Sequence, residues 1–95
     1  MLNPVSISSE AIEEIRNILT KKGIPEGYGL RLGVKGAGCG VGFKLGFDTK
    51  KEGDLEYFVE DIQVLVQKKE TMFLVGKRIV FYNEADGRGF AFEDE

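Results

Sequence analysis

The sequence predicts a β-dominated α+β domain, with residues 1–95 forming a single unit. Three observations carry that expectation. A chain of 95 residues has room for one domain and not two. One stretch, residues 8–23, places apolar residues at helical spacing between a start signal and a stop signal. From residue 28 onward the apolar period shortens to two, the period of a half-buried strand.

The helix comes first. Ser8 can accept hydrogen bonds from first-turn amides. Glu10, Glu13 and Glu14 sit toward the positive N-terminal end, and Lys21 and Lys22 at the negative C-terminal end. Gly23 supplies the C-terminal stop. Ala11, Ile12, Ile15, Ile18 and Leu19 make one apolar stripe, which predicts a core-facing side. Residues 24–27 then turn the chain. Tyr28, Leu30, Leu32 and Val34 alternate with Gly29, Arg31, Gly33 and Lys35, and Phe43, Leu45 and Phe47 alternate again after a glycine-rich connection. These two strands are expected to form a hairpin. Residues 48–54, DTKKEGD, read as a polar turn. Residues 55–59, 62–66 and 79–82 are further strands, rich in β-branched and aromatic residues. Residues 69–75 predict a short helix stopped by Gly76. Residues 87–92 predict a last strand with Phe90 and Phe92 on one face. The total is six or seven short strands, read from the residues alone as antiparallel.

Composition narrows the function. A net charge of −3 and the spread of the basic pairs Lys21-Lys22, Lys50-Lys51, Lys68-Lys69 and Lys77-Arg78 argue against nucleic acid or an anionic membrane as partner. Those pairs read as solvated ends and turns. No apolar run approaches the roughly 20 residues of a spanning helix. The start, Met1-Leu2-Asn3-Pro4, has no signal-peptide pattern. A lone cysteine cannot close an internal disulfide, so a cytoplasmic location is expected. With no histidine in the chain, Cys–His and Ser–His catalysis from these residues is excluded and the usual zinc sets become remote.

The stretch that calls for chemistry is KGAGCGVGF, residues 35–43, with glycines at 36, 38, 40 and 42 around Cys39. It is not a phosphate cradle. GxGxxG requires glycine where Val41 or Phe43 stands, no Gly-Lys-Ser/Thr follows, and a strand rather than a helix comes next. Three readings remain. A plain strand connection suits glycine's freedom but needs fewer than four of them. An exposed redox thiol has Lys35 and Lys44 nearby in sequence but no base. Metal binding accounts for the thiolate and the glycines together, since glycines let backbone and amides approach a metal or cluster. One thiolate is too few for a cluster, and a dimer would supply two.

The order and spacing of these pieces resemble one family: the A-type iron–sulfur cluster carriers, the HesB/IscA family. The resemblance runs from about Val5 to Glu95 and rests on VSISSEAIEEIRNIL (5–19), GLRLGVKGAGC (29–39) and MFLVGKRIVFYNEADGRGFAF (72–92). It implies a HesB-like fold, with short mixed strands in a flattened, barrel-like pair of sheets and an N-terminal helix packed on it. It implies a non-enzymatic role in iron–sulfur cluster assembly or iron binding. Iron or a [2Fe-2S] cluster would be bridged between subunits of a homodimer, and the partners would be assembly proteins or apo-protein recipients. Cys39 falls on the family's first ligand, flanked by Gly38 and Gly40. The family's two further cysteines belong to a Cys-Gly-Cys beyond the Gly-Phe-x-Phe strand, where this sequence reads GFAFEDE. Cys39 would therefore be the sole cysteine ligand, completed across a dimer by glutathione, a partner protein or carboxylates. Glu93, Asp94 and Glu95 otherwise read as a solvated tail. The alternative is a HesB-like domain that has lost its metal and serves as an interaction or regulatory module.

Overall fold

The computed structural model describes residues 5–35, 42–84 and 87–94. Ser8 caps the first helix as the sequence predicts: its Oγ accepts from the Ala11 N–H at 3.2 Å, and its own N–H donates to the Ile79 carbonyl at 2.9 Å. One residue thus starts α1 (Ser9–Lys21) and ties it to a strand far along the chain. Gly23 follows with φ +68°, a left-handed conformation that stops the helix at little steric cost. The short strand β1 (Val5–Ile7) precedes α1.

The remaining strands are β2 (Tyr28–Lys35), β3 (Gly42–Thr49), β4 (Asp54–Val59), β5 (Ile62–Gln67), β6 (Lys77–Glu84) and β7 (Gly87–Asp94). The expected helix at 69–75 divides into a 3-10 turn, Lys68–Glu70, and a single turn of helix, α2 (Thr71–Leu74). Gly76 then leaves with φ +84°. Two sheets form, in strand orders β1-β6-β7 and β3-β2-β5-β4. The hairpin β2–β3 is present, with Tyr28 opposite Thr49 at one end and Lys35 opposite Gly42 at the other.

The all-antiparallel expectation does not hold. β1 runs parallel to β6, and β2 parallel to β5. Both pairs join segments distant in sequence, which only a crossover connection can supply. The mixed strands implied by the family resemblance are the ones found. The two sheets remain separate and do not close into a barrel. Between them lie Val5, Ile7, Leu30, Leu32, Ile62, Val64, Val66, Leu74 and Ile79, with Ala11, Ile12 and Ile15 of α1 packed in from the side. Ile18 and Leu19 of the predicted stripe are only half-buried.

The polar turn predicted at 48–54 narrows to residues 50–53. Asp48 and Thr49 end β3, and Asp54 begins β4 with a fully buried side chain. Its carboxylate accepts two hydrogen bonds from the Arg31 guanidinium, both at 2.6 Å, one from the Lys51 N–H at 2.6 Å and one from the Gln67 amide at 2.8 Å. Arg31 also donates to the Thr49 carbonyl at 3.0 Å, and its Nε lies 3.3 Å from Asp48. This network spans the outer face of the four-stranded sheet.

Candidate functional site

Cys39, Gly38 and Gly40 lie outside the described residues. The structure shows what holds the two ends of their connection, at Lys35 of β2 and Gly42 of β3. β2 pairs with β5 only over Leu30, Arg31 and Leu32, so beyond that point the sheet gives β2 no neighbour on that side. Glu70, from the 3-10 turn that follows β5, takes the vacated place: its Oε1 accepts from the Val34 N–H at 2.9 Å. Gly33 makes room for this. A Cβ there would stand 2.9 Å from Glu70 Oε1 and 2.9 Å from Lys44 Cε. The glycine in GLRLGVK is thus a close-approach position.

On the β3 side the anchor is aromatic. Phe43 stacks on Phe92 of β7, with centroids 5.1 Å apart and planes 19° apart, an arrangement that aromatic rings favour. Lys77 Nζ stands 5.2 Å from the Phe43 centroid and also pairs with Asp94. The hairpin end that carries 36–41 is therefore fixed beside the C-terminal end of β7, and the Phe43–Phe92 stack links the two sheets there.

Glu93 and Asp94 are exposed, as a solvated end would be, and Glu95 lies outside the described residues. Glu93 and Asp94 continue β7 opposite Arg78 and Lys77. Asp94 pairs with Lys77, whose hydrogen bond holds its carboxyl below the usual carboxylate range. Glu93 accepts from the Tyr82 hydroxyl, and this bond raises the Tyr82 phenol above its ordinary value. Of the basic pairs read as solvated, only Lys77 is half-buried; its companion Arg78 and the other three pairs are exposed. Met72 and Phe73 of α2, and Val75 just after it, are exposed, while Leu74 enters the core.

Chemically, these 95 residues hold one thiol and no imidazole. Among the described residues no group of three or more aspartate, glutamate, cysteine or histidine side chains could hold a metal ion. No described helix is long and apolar enough to cross a membrane. A soft cation therefore has one cysteine per chain to meet, flanked in the sequence by glycines.

Sequence reasoning singled out Cys39 and its glycines as candidates and did not single out Glu70, Phe43 or Lys77, which support the hairpin end. The glycine at 33 was the one local signal for Glu70's approach.

No family model matches the chain. The iron-binding protein IscA of Pectobacterium carotovorum subsp. carotovorum is 33% identical over 92 residues, covering 95% of this chain and 84% of that protein. The crystal structure of Escherichia coli SufA, a protein involved in biosynthesis of iron–sulfur clusters, superimposes with a TM-score of 0.81 at 27% identity, over 95% of this chain and 79% of that one. A crystal structure of IscA with a [2Fe-2S] cluster shares the fold, with a TM-score of 0.70 at 20% identity over 95% of this chain and 84% of that one. With a third of its residues shared over almost its full length, the chain belongs to the HesB/IscA family of A-type iron–sulfur cluster carriers.

Proposed function

We propose that this protein binds iron or a [2Fe-2S] cluster as cargo and passes it on during iron–sulfur cluster assembly, without catalysing a reaction of its own. Cys39 is the cysteine ligand, and Gly38 and Gly40 let backbone approach the metal. Two copies of the chain bridge the cargo, each contributing one thiolate, and glutathione or a recipient protein completes the coordination. The recipients are assembly proteins and apo-proteins of the same compartment, the cytoplasm.

One observation carries this reading. The connection holding the chain's single thiol is supported at both ends, by Glu70 on β2 and by the Phe43–Phe92 stack on β3. A plain strand connection requires neither support. The relatives named for iron binding and for cluster biosynthesis point the same way.

The test is anaerobic reconstitution with ferrous iron and sulfide, counting both per chain. The wild type is expected to hold at least one iron per pair of chains and Cys39→Ala none. Equal iron in the two proteins would overturn the assignment of Cys39. A wild type that binds no metal would leave the protein as an interaction module built on the same fold.

A further inference from the structure

We propose that two copies of this chain join edge to edge through β7, antiparallel and centred on Ala91, making one six-stranded sheet in the order β1-β6-β7-β7-β6-β1. The proposal deepens the two-chain reading above and rests on it for the choice between two edges.

β7 is the last strand of its sheet, and among the described residues its outer side has no strand partner. It is eight residues long and contains no proline. Such an edge presents a row of unpaired N–H and C=O groups. The faces of β7 are known. Phe90 packs on Phe81 with centroids 5.1 Å apart, Phe92 packs on Phe43, and the Arg88 guanidinium lies 5.4 Å from the Phe81 centroid. Arg88, Phe90, Phe92 and Asp94 therefore share one face, and Gly89, Ala91 and Glu93 the other.

Directly opposed residues in an antiparallel pair point to the same side. A two-fold axis between two β7 strands must then pass through a residue, not between two. With the axis at Ala91, Arg88 stands opposite the partner's Asp94, twice, and Phe90 opposite the partner's Phe92. With the axis at Phe90, Arg88 meets the partner's Phe92; with the axis at Gly89, it meets the partner's Phe90. Only the Ala91 register sets opposite charges against each other, and it puts a methyl group on the axis where two backbones meet. Asp94 is exposed enough to meet the partner's Arg88 while keeping Lys77, and Arg88 would exchange its exposed 3.4 Å contact with Glu14 for it.

β3 is the competing edge. Centred on Gly46, it would set Lys44 opposite the partner's Asp48 on one face. The cargo decides between them. Pairing through Gly46 leaves the two Gly42 residues eight positions apart along the strands, about 27 Å, too far for two thiolates to share a metal. Pairing through Ala91 sets the two Phe92 residues about 8 Å apart. Phe43 stacks on each, so both hairpin ends come to the axis on the same side of the sheet. Cys39 is three residues from Gly42, a reach of about 10 Å. The two thiols can then meet.

The test requires no metal. In the Cys39→Ala background, Ala91→Cys and Gly46→Cys are each oxidised mildly at micromolar concentration, with circular dichroism confirming the fold. Ala91→Cys is expected to give a disulfide-linked dimer, since opposed strand residues fall within disulfide range, and Gly46→Cys is expected to stay unlinked. Arg88→Asp, in the otherwise unaltered protein, is expected to weaken the dimer at least about tenfold by light scattering, because like charges then face each other twice. Linkage through position 46 and not 91, or a wild type that is monomeric under these conditions, would overturn the edge. Iron bound through Cys39 in a protein that fails the Ala91 link would sink the β7 edge and leave the carrier reading standing. A clean Ala91 link in a protein that binds no iron would do the reverse.

Discussion

Replacing Asp54 by alanine is expected to destabilise the fold by about 3 kcal/mol. Its carboxylate is wholly buried, and it accepts four hydrogen bonds, two of them from Arg31, whose side chain keeps 16% of its exposure. Removing one partner of a buried ion pair costs about 3–5 kcal/mol, mainly because the other charge is stranded. Arg31 retains Asp48 at 3.3 Å and the Thr49 carbonyl at 3.0 Å, which places the loss at the low end of that range. Against a total stability of about 5–14 kcal/mol for a chain this long, the loss is large. With a urea slope of about 1.5 kcal/mol per M, the unfolding midpoint should fall by about 2 M. Circular dichroism can follow the transition, since the chain has no tryptophan. The double variant Arg31→Met with Asp54→Ala should recover part of the loss, because no charge is then stranded.

The same residue predicts a pH dependence. Hydrogen bonds from Arg31, working against burial and helped by the Lys51 N–H and Gln67, hold the Asp54 carboxyl well below the usual carboxylate range. Its folded pKa is therefore lower than its unfolded value of about 3.9. A group of this kind stabilises the fold above its unfolded pKa, and that contribution is lost as pH falls toward the folded one. The gap between wild type and Asp54→Ala should be full at about pH 6 and shrink below about pH 4. A gap under about 1 kcal/mol at neutral pH, or one that widens in acid, would refute the reasoning.

Two further outcomes follow from the same structure. Ile15→Ala, at a fully buried position of α1, is expected to cost about 2–5 kcal/mol by urea denaturation; a loss within about 0.5 kcal/mol, the range of surface changes, would mean that α1 does not cover the core. Glu70→Ala leaves the Val34 N–H without its acceptor and is expected to cost about 1–3 kcal/mol of local protection at that amide, read by hydrogen exchange, while Glu70→Gln keeps most of it; unchanged exchange at Val34 in the alanine variant would remove Glu70 from the support of the hairpin.

What could be read from the sequence was what is local. Ser8, the Ala11–Ile12–Ile15 stripe and Gly23 act within one helix, and α1 forms within a residue or two of the expected bounds. The hairpin β2–β3 was legible because both strands keep a period of two and their connection is short. The parallel pairs were not. β1 has three residues, too few to show a period, and it finds its place only through β6, more than 70 residues later. Asp54 gave no sign of burial, because the residue that buries it, Arg31, lies 23 positions away on another strand. Lys77 looked like half of a solvated pair until the fold set it beside Phe43 and Asp94. At the candidate site, the sequence could single out the thiol in KGAGCGVGF, and the supports of its hairpin were not legible, since each comes from a different element.

The supports also bear on which ligands can complete the site. Carboxylates at the end of β7 were one candidate, and the fold places them near the hairpin end, as a ligand role demands. Yet each is already committed. Asp94 would have to give up Lys77, which would then be left half-buried against the Phe43 ring without its counter-charge. Glu93 would have to release the Tyr82 hydroxyl, and its side chain leaves the strand on the face opposite Phe92 and Phe43. A hard carboxylate is moreover the poorer match to a sulfide cluster. On the proposed coordination the second thiolate is the Cys39 of another copy, and two thiolates from two chains would leave the remaining positions to a small thiol or to the recipient itself. A site of that kind would hold its cargo less tightly than a four-cysteine site, which suits a carrier whose task is to let the cargo go.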